Sequence, residues 1–413
     1  MAGKATTVDS ETLLSSMFTA EGKEDPYPAL AELRRIAPVY YHEKLDTYFL
    51  TRFADCQQVL SDPSCLTPDL TWCETELPDW REHPAAVFFY SSLLRANGTD
   101  HVRLRRLVAD RFSARRVAVL TERIETTTTA LLDRFADATR DGGAADFQEL
   151  VGYPLPVAVV GDLIGVPHTD QDRFHHYGQD ASRLLEPVRT DEDWKRADEA
   201  VTALRGYFAQ LVALRRRRPA DDLVSALLAV READDGRLAE SELLDMLLLV
   251  FVAGFETTTS LLGLTVHALL SHPDQLALLR EDSALVPNGV EESLRWDTPV
   301  RMTERIATRP LTVGGVAIPQ GGNITTVLAA AGRDPARHPD PDAFDVLRPD
   351  IRVLSFSAGA HYCLGAALAR LEGAAVVRQL LGRFPGLAHA RRPVRRDSIS
   401  LRAFTRLPLV TSG

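Results

Sequence analysis

The stretch Phe356–Gly365, FSAGAHYCLG, places one cysteine among small residues, directly before a strongly helix-forming segment, LGAALARLEGAAVVRQLLGRF. Cys363 is therefore expected at or just before a helix N-terminus, where the helix dipole and free backbone N–H groups favour a thiolate. Gly359 and Gly365 would let the backbone approach a flat partner closely. Taken alone, Cys363 could be a metal ligand, a nucleophile or an inert buried thiol, and the inert thiol is favoured.

The composition is that of a globular protein. The chain has 413 residues, of which 45% are hydrophobic and 25% charged, and its net charge is −10. Because phosphate binding needs clustered positive charge, we expect no nucleic-acid partner. The start lacks the blocks of a signal peptide, and the apolar run Leu243–Phe255 is too short to span a bilayer. We therefore expect a soluble, cytoplasmic protein with no membrane partner.

The hydrophobic pattern predicts a mainly α protein with small β sheets near both ends of the chain. No repeat or linker divides it, so we expect a single domain over residues 1–413. The longest helical pattern runs from about Glu240 to Ser271, and a last long helix runs to about Leu381. The segments expected to form strands are Val39–Leu50, Leu311–Ile318 and Asn323–Leu328.

Polar residues interrupt the long apolar helix at Ala253-Gly254-Phe255-Glu256-Thr257. The hydroxyl of Thr257 can bond the carbonyl of Ala253 one turn back and open a kink or groove. Glu256 beside it is an ionisable group in apolar surroundings. An acid and an alcohol in a buried groove would form a proton relay.

Two further patterns carry little information alone. Glu292 and Arg295 share one helix face, but Glu32 and Arg35 have the same spacing, and such pairs are mostly solvated. His101 and Arg105 could hold a bound carboxylate or form a basic exposed face; alone, the exposed face is favoured.

The order of these patterns is more specific than any one of them. AGxET, then ExxR, then FxxGxHxCxG with a helix behind it closely resembles the cytochrome P450 superfamily of haem-thiolate monooxygenases, in particular the soluble bacterial members that tailor natural products. The resemblance covers almost the whole chain, including DPYPALAELRRIAPVYY, HVRLRRLVADRF and RDPARHPDPDAFDVLRP. It implies the cytochrome P450 fold, a triangular helical prism with haem between the long central helix and the helix after the cysteine.

The resemblance also implies roles for individual residues. Cys363 would be the axial ligand of the iron in heme b, with Glu256 and Thr257 as the acid–alcohol pair that protonates dioxygen. Glu292, Arg295 and Arg348 would form a structural ion pair with a third partner. The residues implied to bind the cofactor are His101, Arg105, Ala253, Gly254, Arg305, Phe356, His361, Cys363 and Gly365. Two positions depart from the family pattern: Ser357 stands where glycine is usual, and Tyr362 where a basic residue is more common.

The family's chemistry implies partners as well. No GxGxxG fingerprint is present, so electrons would come indirectly from NAD(P)H through a ferredoxin and its reductase. Arg106, Arg115 and Arg370 are candidates for the docking face, and we expect a monomer. The residues predicted to line the substrate pocket are Phe88, Phe89, Leu249, Val252, Val300, Arg301, Met302 and Phe404. Each could equally belong to the core, and for the aromatic run Phe88-Phe89-Tyr90 the core is favoured. A pocket-side cation at Arg301 would suit an acidic substrate.

The resulting hypothesis is a monooxygenase that uses O₂ to hydroxylate or epoxidise a small hydrophobic natural product, polyketide- or macrolide-like, in secondary metabolite or antibiotic biosynthesis. The same haem fold could instead catalyse oxidative coupling, desaturation or peroxide-driven oxidation. A non-catalytic haem-binding protein would have no use for the acid–alcohol pair. A cysteine hydrolase is the weakest alternative, because no credible base accompanies Cys363.

Overall fold

The structure, a computed structural model, describes residues 9–171, 174–187, 189–233 and 238–411. The prediction that no targeting segment is present concerns the start of the chain, and residues 1–8 lie outside the described ranges. The helices are α1 (Ser10–Ser16), α2 (Ala20–Glu24), α3 (Tyr27–Ile36), α4 (Phe53–Ser61), α5 (Leu70–Glu76), α6 (Pro84–Ser91), α7 (Gly98–Ala109), α8 (Ala114–Val119), α9 (Thr121–Thr139), α10 (Pro154–Ile164), α11 (His168–Gln171), α12 (His175–Ala181), α13 (Asp191–Arg217), α14 (Leu223–Ala233), α15 (Glu240–Ser271), α16 (Pro273–Glu281), α17 (Val286–Trp296), α18 (Leu328–Gly332) and α19 (Ala366–Arg383).

The strands are short and form four small sheets. They are β1 (Val39–His42), β2 (Thr47–Leu50), β3 (Cys65–Leu66), β4 (Ala145–Asp146), β5 (Met302–Ala307), β6 (Leu311–Val313), β7 (Val316–Ile318), β8 (Asn323–Val327), β9 (Leu387–His389), β10 (Val394–Arg395), β11 (Phe404–Arg406) and β12 (Pro408–Thr411). The largest sheet has the order β1-β2-β8-β5-β3, in which only β2 and β8 run parallel. The other sheets are β4-β12-β9, β10-β11 and β6-β7.

Helix α15 is the centre of the fold. It contributes residues to three apolar clusters, so its sides pack against α6, α10 and α13, against α9 and α19, and against α16 and α17. The helix ends at Ser271 because His272 precedes Pro273, and a residue before proline is disfavoured in α-helical conformation.

By length and composition, the whole of α15 could cross a membrane. The sequence expectation considered only the shorter run Leu243–Phe255 and therefore did not predict this. However, 67% of its apolar window is buried inside the protein, and a mostly buried core helix passes the same test. Its apolar surface is thus accounted for by the packing of the surrounding helices.

The mainly α architecture with small sheets agrees with the expectation from sequence, and the central helix has the bounds predicted for it. The hairpin β1–β2 and strands β6, β7 and β8 also lie where the pattern placed them. Strand β5 and the C-terminal strands were not predicted. β5 pairs with β3, and β12 pairs with β4, both far earlier in the chain, and such pairing leaves little local signal. Strands β9, β10 and β11 pair closer in sequence but are only two or three residues long.

Candidate active site

Backbone hydrogen bonds and two positive φ angles fix the cysteine loop. The N–H of Cys363 donates to the carbonyl of Phe356 at 2.9 Å, and the N–H of Ser357 donates to that of Leu354 at 2.7 Å. Ser357 and Gly359 have φ of 61° and 65°, in the left-handed region that favours glycine. The glycine that is usual at position 357 would suit this conformation, whereas Ser357 adopts it at an energetic cost.

The two glycines of the loop have different neighbours. A Cβ on Gly359 would lie 2.6 Å from the carbonyl oxygen of Leu60, so its close approach is to the end of α4 and not to a flat partner. Gly365 is the N-cap residue of α19, and a Cβ there would lie 3.9 Å from Sγ of Cys363. The cysteine therefore stands two residues before the helix cap, as predicted.

Cys363 differs from the other three cysteines because it is exposed, whereas Cys56, Cys65 and Cys73 are buried. Protein atoms nevertheless surround its thiol, and this burial raises the pKa of Cys363. The N–H groups of Gly365 and Ala366 and the guanidiniums of Arg105 and Arg370 lower that pKa, but burial prevails. The helix terminus alone thus does not produce the predicted thiolate; a bound metal ion would deprotonate the thiol.

Four predicted propionate ligands meet beside the loop. The rings of His101, on α7, and His361, in the loop, lie 4.3 Å apart between centroids. Arg105 donates to the carbonyl of Tyr362 at 2.6 Å. Burial, with help from Arg305, His101 and Arg105, lowers the pKa of His361 to about 3. His361 is therefore uncharged at neutral pH, and the positive groups at this end of the loop are the guanidiniums of Arg105 and Arg305.

The residues present fit a haem. Burial lowers the pKa of Arg305 to about 10, and its guanidinium donates to Thr303 Oγ1, the carbonyl of Glu304 and Ser357 Oγ. None of these hydrogen-bond acceptors is a carboxylate, although buried cations normally pair with an anion. Excess cations beside an accessible cysteine suit a group that carries both a metal ion and carboxylates, as haem does.

The middle of α15 presents an open face inside the protein. Ala253 is exposed and Thr257 is half-buried, although Phe255 and Glu256 between them are buried. The hydroxyl of Thr257 donates to the carbonyl of Ala253 at 2.7 Å, the bond expected from the sequence. Gly254 faces elsewhere: its Cβ would lie 3.1 Å from the side chain of Val160 on α10. Ala253 and Thr257 therefore line the groove. Gly254 has no side chain, which allows α10 to pack closely against α15 at this point.

Glu256 points away from this groove. Its side chain is 2% exposed and accepts a hydrogen bond of 2.8 Å from Arg396. Burial raises the pKa of Glu256, and the Arg396 guanidinium opposes that rise. Within the described residues, no hydrogen bond joins Glu256 to Thr257.

Glu292, Arg295 and Arg348 come together in a fully buried network. Glu292 accepts two bonds of 2.7 Å from Arg295 and one of 3.2 Å from Arg348. The other Arg295 hydrogens go to the carbonyls of Gly332, Pro341 and Ala343. All five guanidinium N–H groups of Arg295 are thus used. This pair contrasts with Glu32–Arg35, which has the same spacing and is exposed.

The predicted pocket residues divide into two groups. Leu249, Val300 and Met302 are half-buried, whereas Phe88, Phe89, Val252, Arg301 and Phe404 are buried. Arg301 donates to the carbonyl of Lys23, and Phe404 packs 4.9 Å from His267 between ring centroids. The structure therefore places Arg301 against the N-terminal segment and Phe404 in the core, away from an open pocket wall. A cation for an acidic substrate is not found at Arg301.

The predicted docking arginines also differ from one another. Arg106 and Arg115 are exposed and form no ion pair with another described residue. Arg370 is paired with Glu291 and lies 4.4 Å above the ring of Phe356. Arg370 therefore contacts the cysteine loop through the ring of Phe356. The backbone carbonyl of the same phenylalanine accepts the N–H of Cys363.

Two arginines, the half-buried Arg396 and the buried Arg95, were missed from the sequence. Arg396 binds Glu256 as described above, and Arg95 is 8% exposed and lowers the pKa values of His361 and Arg305. Neither belongs to a spaced pattern. A short basic run, VRR, precedes Asp397, but such runs are usually solvated.

Comparisons with known proteins agree with this geometry. The sequence pattern of the family described as Cytochrome P450 matches residues 78–400. The 6-deoxyerythronolide B hydroxylase of Saccharopolyspora erythraea is 38% identical over 402 residues, covering 94% of this chain and 96% of that protein.

Solved structures are similar over nearly their whole length. The ligand-free crystal structure of Mycobacterium smegmatis CYP164A2 has a TM-score of 0.88 and 33% identity, covering 97% of this chain and 100% of that one. PksS, the cytochrome P450 of the Bacillus subtilis 168 bacillaene polyketide synthase, has a TM-score of 0.83 and 30% identity, covering 96% and 99%.

Proposed function

Because the chain belongs to the cytochrome P450 family of monooxygenases, we propose that it hydroxylates or epoxidises a small hydrophobic natural product of polyketide or macrolide type. The observation that carries the proposal is the placement of exposed Cys363 next to the basic residues His101, Arg105 and Arg305, in a fold whose central helix has an open face. The relatives named as a 6-deoxyerythronolide B hydroxylase and as a polyketide synthase P450 support this substrate class. The biosynthesis of a secondary metabolite, such as an antibiotic, is the corresponding context.

Haem iron is the cofactor of this family, and we propose heme b held by Cys363. His101, Arg105, Arg305 and His361 would bind its carboxylates, since charge-assisted hydrogen bonds would give the Arg305 guanidinium the anionic partner that its present acceptors do not provide. When bound through a thiolate, haem iron activates O₂ for insertion of oxygen into the substrate. The N–H groups of Gly365 and Ala366 stabilise negative charge on the sulfur.

The chain itself supplies binding, orientation and protons. The open face at Ala253 leaves room for O₂, while Leu249, Val300 and Met302 offer apolar surface to a substrate. Thr257 holds a proton at Oγ1 at the edge of the groove, and Glu256 is the ionisable group next to it in sequence. We assign Thr257 as the local proton donor and Glu256 as the acid that replaces its proton.

Members of this family need redox partners, and here we propose a ferredoxin with its NAD(P)H-dependent reductase. Arg106 and Arg115 would receive the acidic partner, because they are exposed basic residues on α7, which contacts the cysteine loop through Arg105, and on the following helix α8. We further propose one domain over residues 1–413, since α15 joins three of the apolar clusters. The protein would act as a cytoplasmic monomer without nucleic-acid or membrane partners.

A carbon monoxide difference spectrum of the haem-loaded protein tests the ligand assignment. The wild type and Cys73→Ala should both show the thiolate-type Soret band, because Cys73 is buried elsewhere. Cys363→Ala should lose that band while retaining the far-ultraviolet circular dichroism of a folded helical protein. Retention of the band in Cys363→Ala would refute the assignment.

Spectral titration and turnover test the substrate and the reaction. We expect 6-deoxyerythronolide B or a related polyketide to shift the haem spin state, and fatty acids and short peptides to bind less tightly. Product should form with O₂ and the ferredoxin system. If hydrogen peroxide alone supported the same rate, peroxide-driven oxidation would replace the monooxygenase proposal. Binding without any substrate-dependent oxygen use would indicate a haem-binding protein.

A further inference from the structure

A single arginine connects the buried acid of α15 to a neighbouring helix. Arg396 Nη1 donates to Oε1 of Glu256 at 2.8 Å. Its Nη2 donates to Oγ of Ser182 at 2.8 Å and to the carbonyl of Gln179 at 3.3 Å. Gln179 belongs to α12, and Ser182 begins the 3₁₀ turn that follows it. Three segments that are distant in sequence therefore meet at one guanidinium.

This contact fixes the direction in which the acid points. Glu256 is 2% exposed, whereas Thr257 is half-buried and bonded to the exposed Ala253. The carboxylate thus lies on the Arg396 side of α15 and the hydroxyl on the groove side. Glu256 can donate a proton to Thr257 only after three changes. Its carboxylate must lose the hydrogen bond from Arg396, take up a proton and rotate toward the groove.

The charges around Glu256 determine when this exchange occurs. Arg396 is the cation that opposes the effect of burial on Glu256, and Tyr153, next to α10, is the other titratable group that interacts with it. Burial raises the pKa of Tyr153, so its phenol stays neutral and leaves Arg396 as the charged partner. Loosening the arginine therefore favours the protonated acid.

We propose that Arg396 is a positioning residue for the proton relay, which holds Glu256 as a carboxylate and makes its release depend on the position of α12. The inference rests on the proposed role of Glu256. Movement of α12 weakens the bonds from Arg396 to Gln179 and Ser182 and frees the guanidinium. Glu256 then takes up a hydronium proton from the bulk solvent, which leaves a neutral water molecule, and passes it to Oγ1 of Thr257 as the hydroxyl proton moves into the groove.

Infrared spectroscopy of the haem-loaded enzyme tests the first half of the proposal without turnover. The protonated-carboxyl stretch that disappears in Glu256→Gln is followed against pH. In Arg396→Gln its midpoint should rise by about 1 to 3 units, the usual effect of removing a close opposite charge. Arg396→Lys should keep most of the wild-type midpoint. Arg392→Gln, an exposed ion-paired arginine of the same segment, is the matched control and should leave it unchanged.

Hydrogen exchange tests the connection to α12. In Arg396→Gln and in Ser182→Ala, backbone amides of residues 176–185 should exchange about fivefold faster, as expected for the loss of one hydrogen bond. Ser182→Ala keeps the arginine, so it should also shift the infrared midpoint in the same direction by a smaller amount. Faster exchange with an unmoved midpoint would overturn the coupling.

The ratio of peroxide to water formed from O₂ separates this inference from the proposed function. With a ferredoxin, its reductase and O₂ alone, Glu256→Gln should raise that ratio, and Arg396→Gln should shift its pH dependence upward with the infrared midpoint. If Glu256→Gln leaves the ratio unchanged, the relay itself is refuted. If Glu256→Gln raises the ratio but Arg396→Gln moves neither the midpoint nor the pH profile, the role of Arg396 is refuted.

Discussion

Removal of the Glu292 carboxylate should cost far more stability than the removal of a carboxylate with the same sequence spacing. In Glu292→Ala, the guanidiniums of Arg295 and Arg348 lose their buried anion, since the two side chains of the Glu292–Arg295 pair are 0% exposed and that of Arg348 is 7% exposed. The N–H of Asp345 also loses its acceptor at 2.9 Å. Breaking one buried pair costs about 3–5 kcal/mol, a large part of the roughly 5–15 kcal/mol that stabilises a typical protein.

The matched control is Glu32→Ala. Glu32 and Arg35 have the same i,i+3 spacing on α3, but their side chains are 41% and 70% exposed. Such a surface pair contributes about 0.2–1 kcal/mol. Sequence pattern is thus held constant while burial changes.

Denaturant unfolding followed by far-ultraviolet circular dichroism, at equal haem content, measures both variants. We expect Glu292→Ala to lose at least about 3 kcal/mol and Glu32→Ala at most about 1 kcal/mol. Equal losses in the two variants would show that burial does not determine the contribution of the pair. A Glu292→Ala protein that keeps full stability but loses the thiolate-type spectrum would show a cofactor role in place of a structural one.

Two further predictions concern the backbone strain at Ser357 and the raised pKa of the buried acid Glu372. Ser357→Gly should stabilise the protein by at most about 0.5 kcal/mol, because the left-handed conformation costs serine about 1–2 kcal/mol, whereas the greater freedom of unfolded glycine and the loss of the 3.4 Å bond from Arg305 offset most of the gain. Ser355→Gly, which loses a bond to the Leu294 carbonyl, should destabilise it instead; a loss in both would contradict the strain. Burial alone raises the pKa of Glu372 from 4.5 to about 8. The contribution of the protonated Glu372 carboxyl to the free energy of unfolding is complete below pH 4.5 and is lost as the pH rises to 8. Over this range, wild-type stability should fall by about 1.4 kcal/mol per pH unit relative to Glu372→Gln. Parallel curves of stability against pH for the two proteins would refute the raised pKa of Glu372.

The sequence was most informative where local physical chemistry decides the structure. Helix α15 was predicted with its observed bounds because thirty-two residues of apolar periodicity end at a His-Pro step. The bond from Thr257 to Ala253 follows from the geometry of one helical turn and was likewise predicted. The order of motifs then identified the family, which the comparisons confirmed.

Side-chain direction and long-range partners could not be predicted in the same way. The partner of Glu256 lies 140 residues away, in a short basic run with no helical or strand period. Arg301 was placed at a pocket because of its position after α17, but it turns toward the Lys23 carbonyl. The N–H groups at the helix terminus lower the pKa of Cys363 as expected, but burial outweighs them, and burial depends on the complete fold.

The supports of the cysteine loop come from widely separated parts of the chain. Gly359 rests against Leu60, Arg105 holds the Tyr362 carbonyl across 257 residues, and Arg305 reaches Ser357. Closing such long loops is slow and entropically costly, so the loop should reach its final geometry late in folding, after α4, α7 and β5 are in place. The absorption band of the proposed bond between iron and Cys363 would then report on the completed tertiary structure of the described chain, and a substitution as distant as α4 should delay its appearance during refolding.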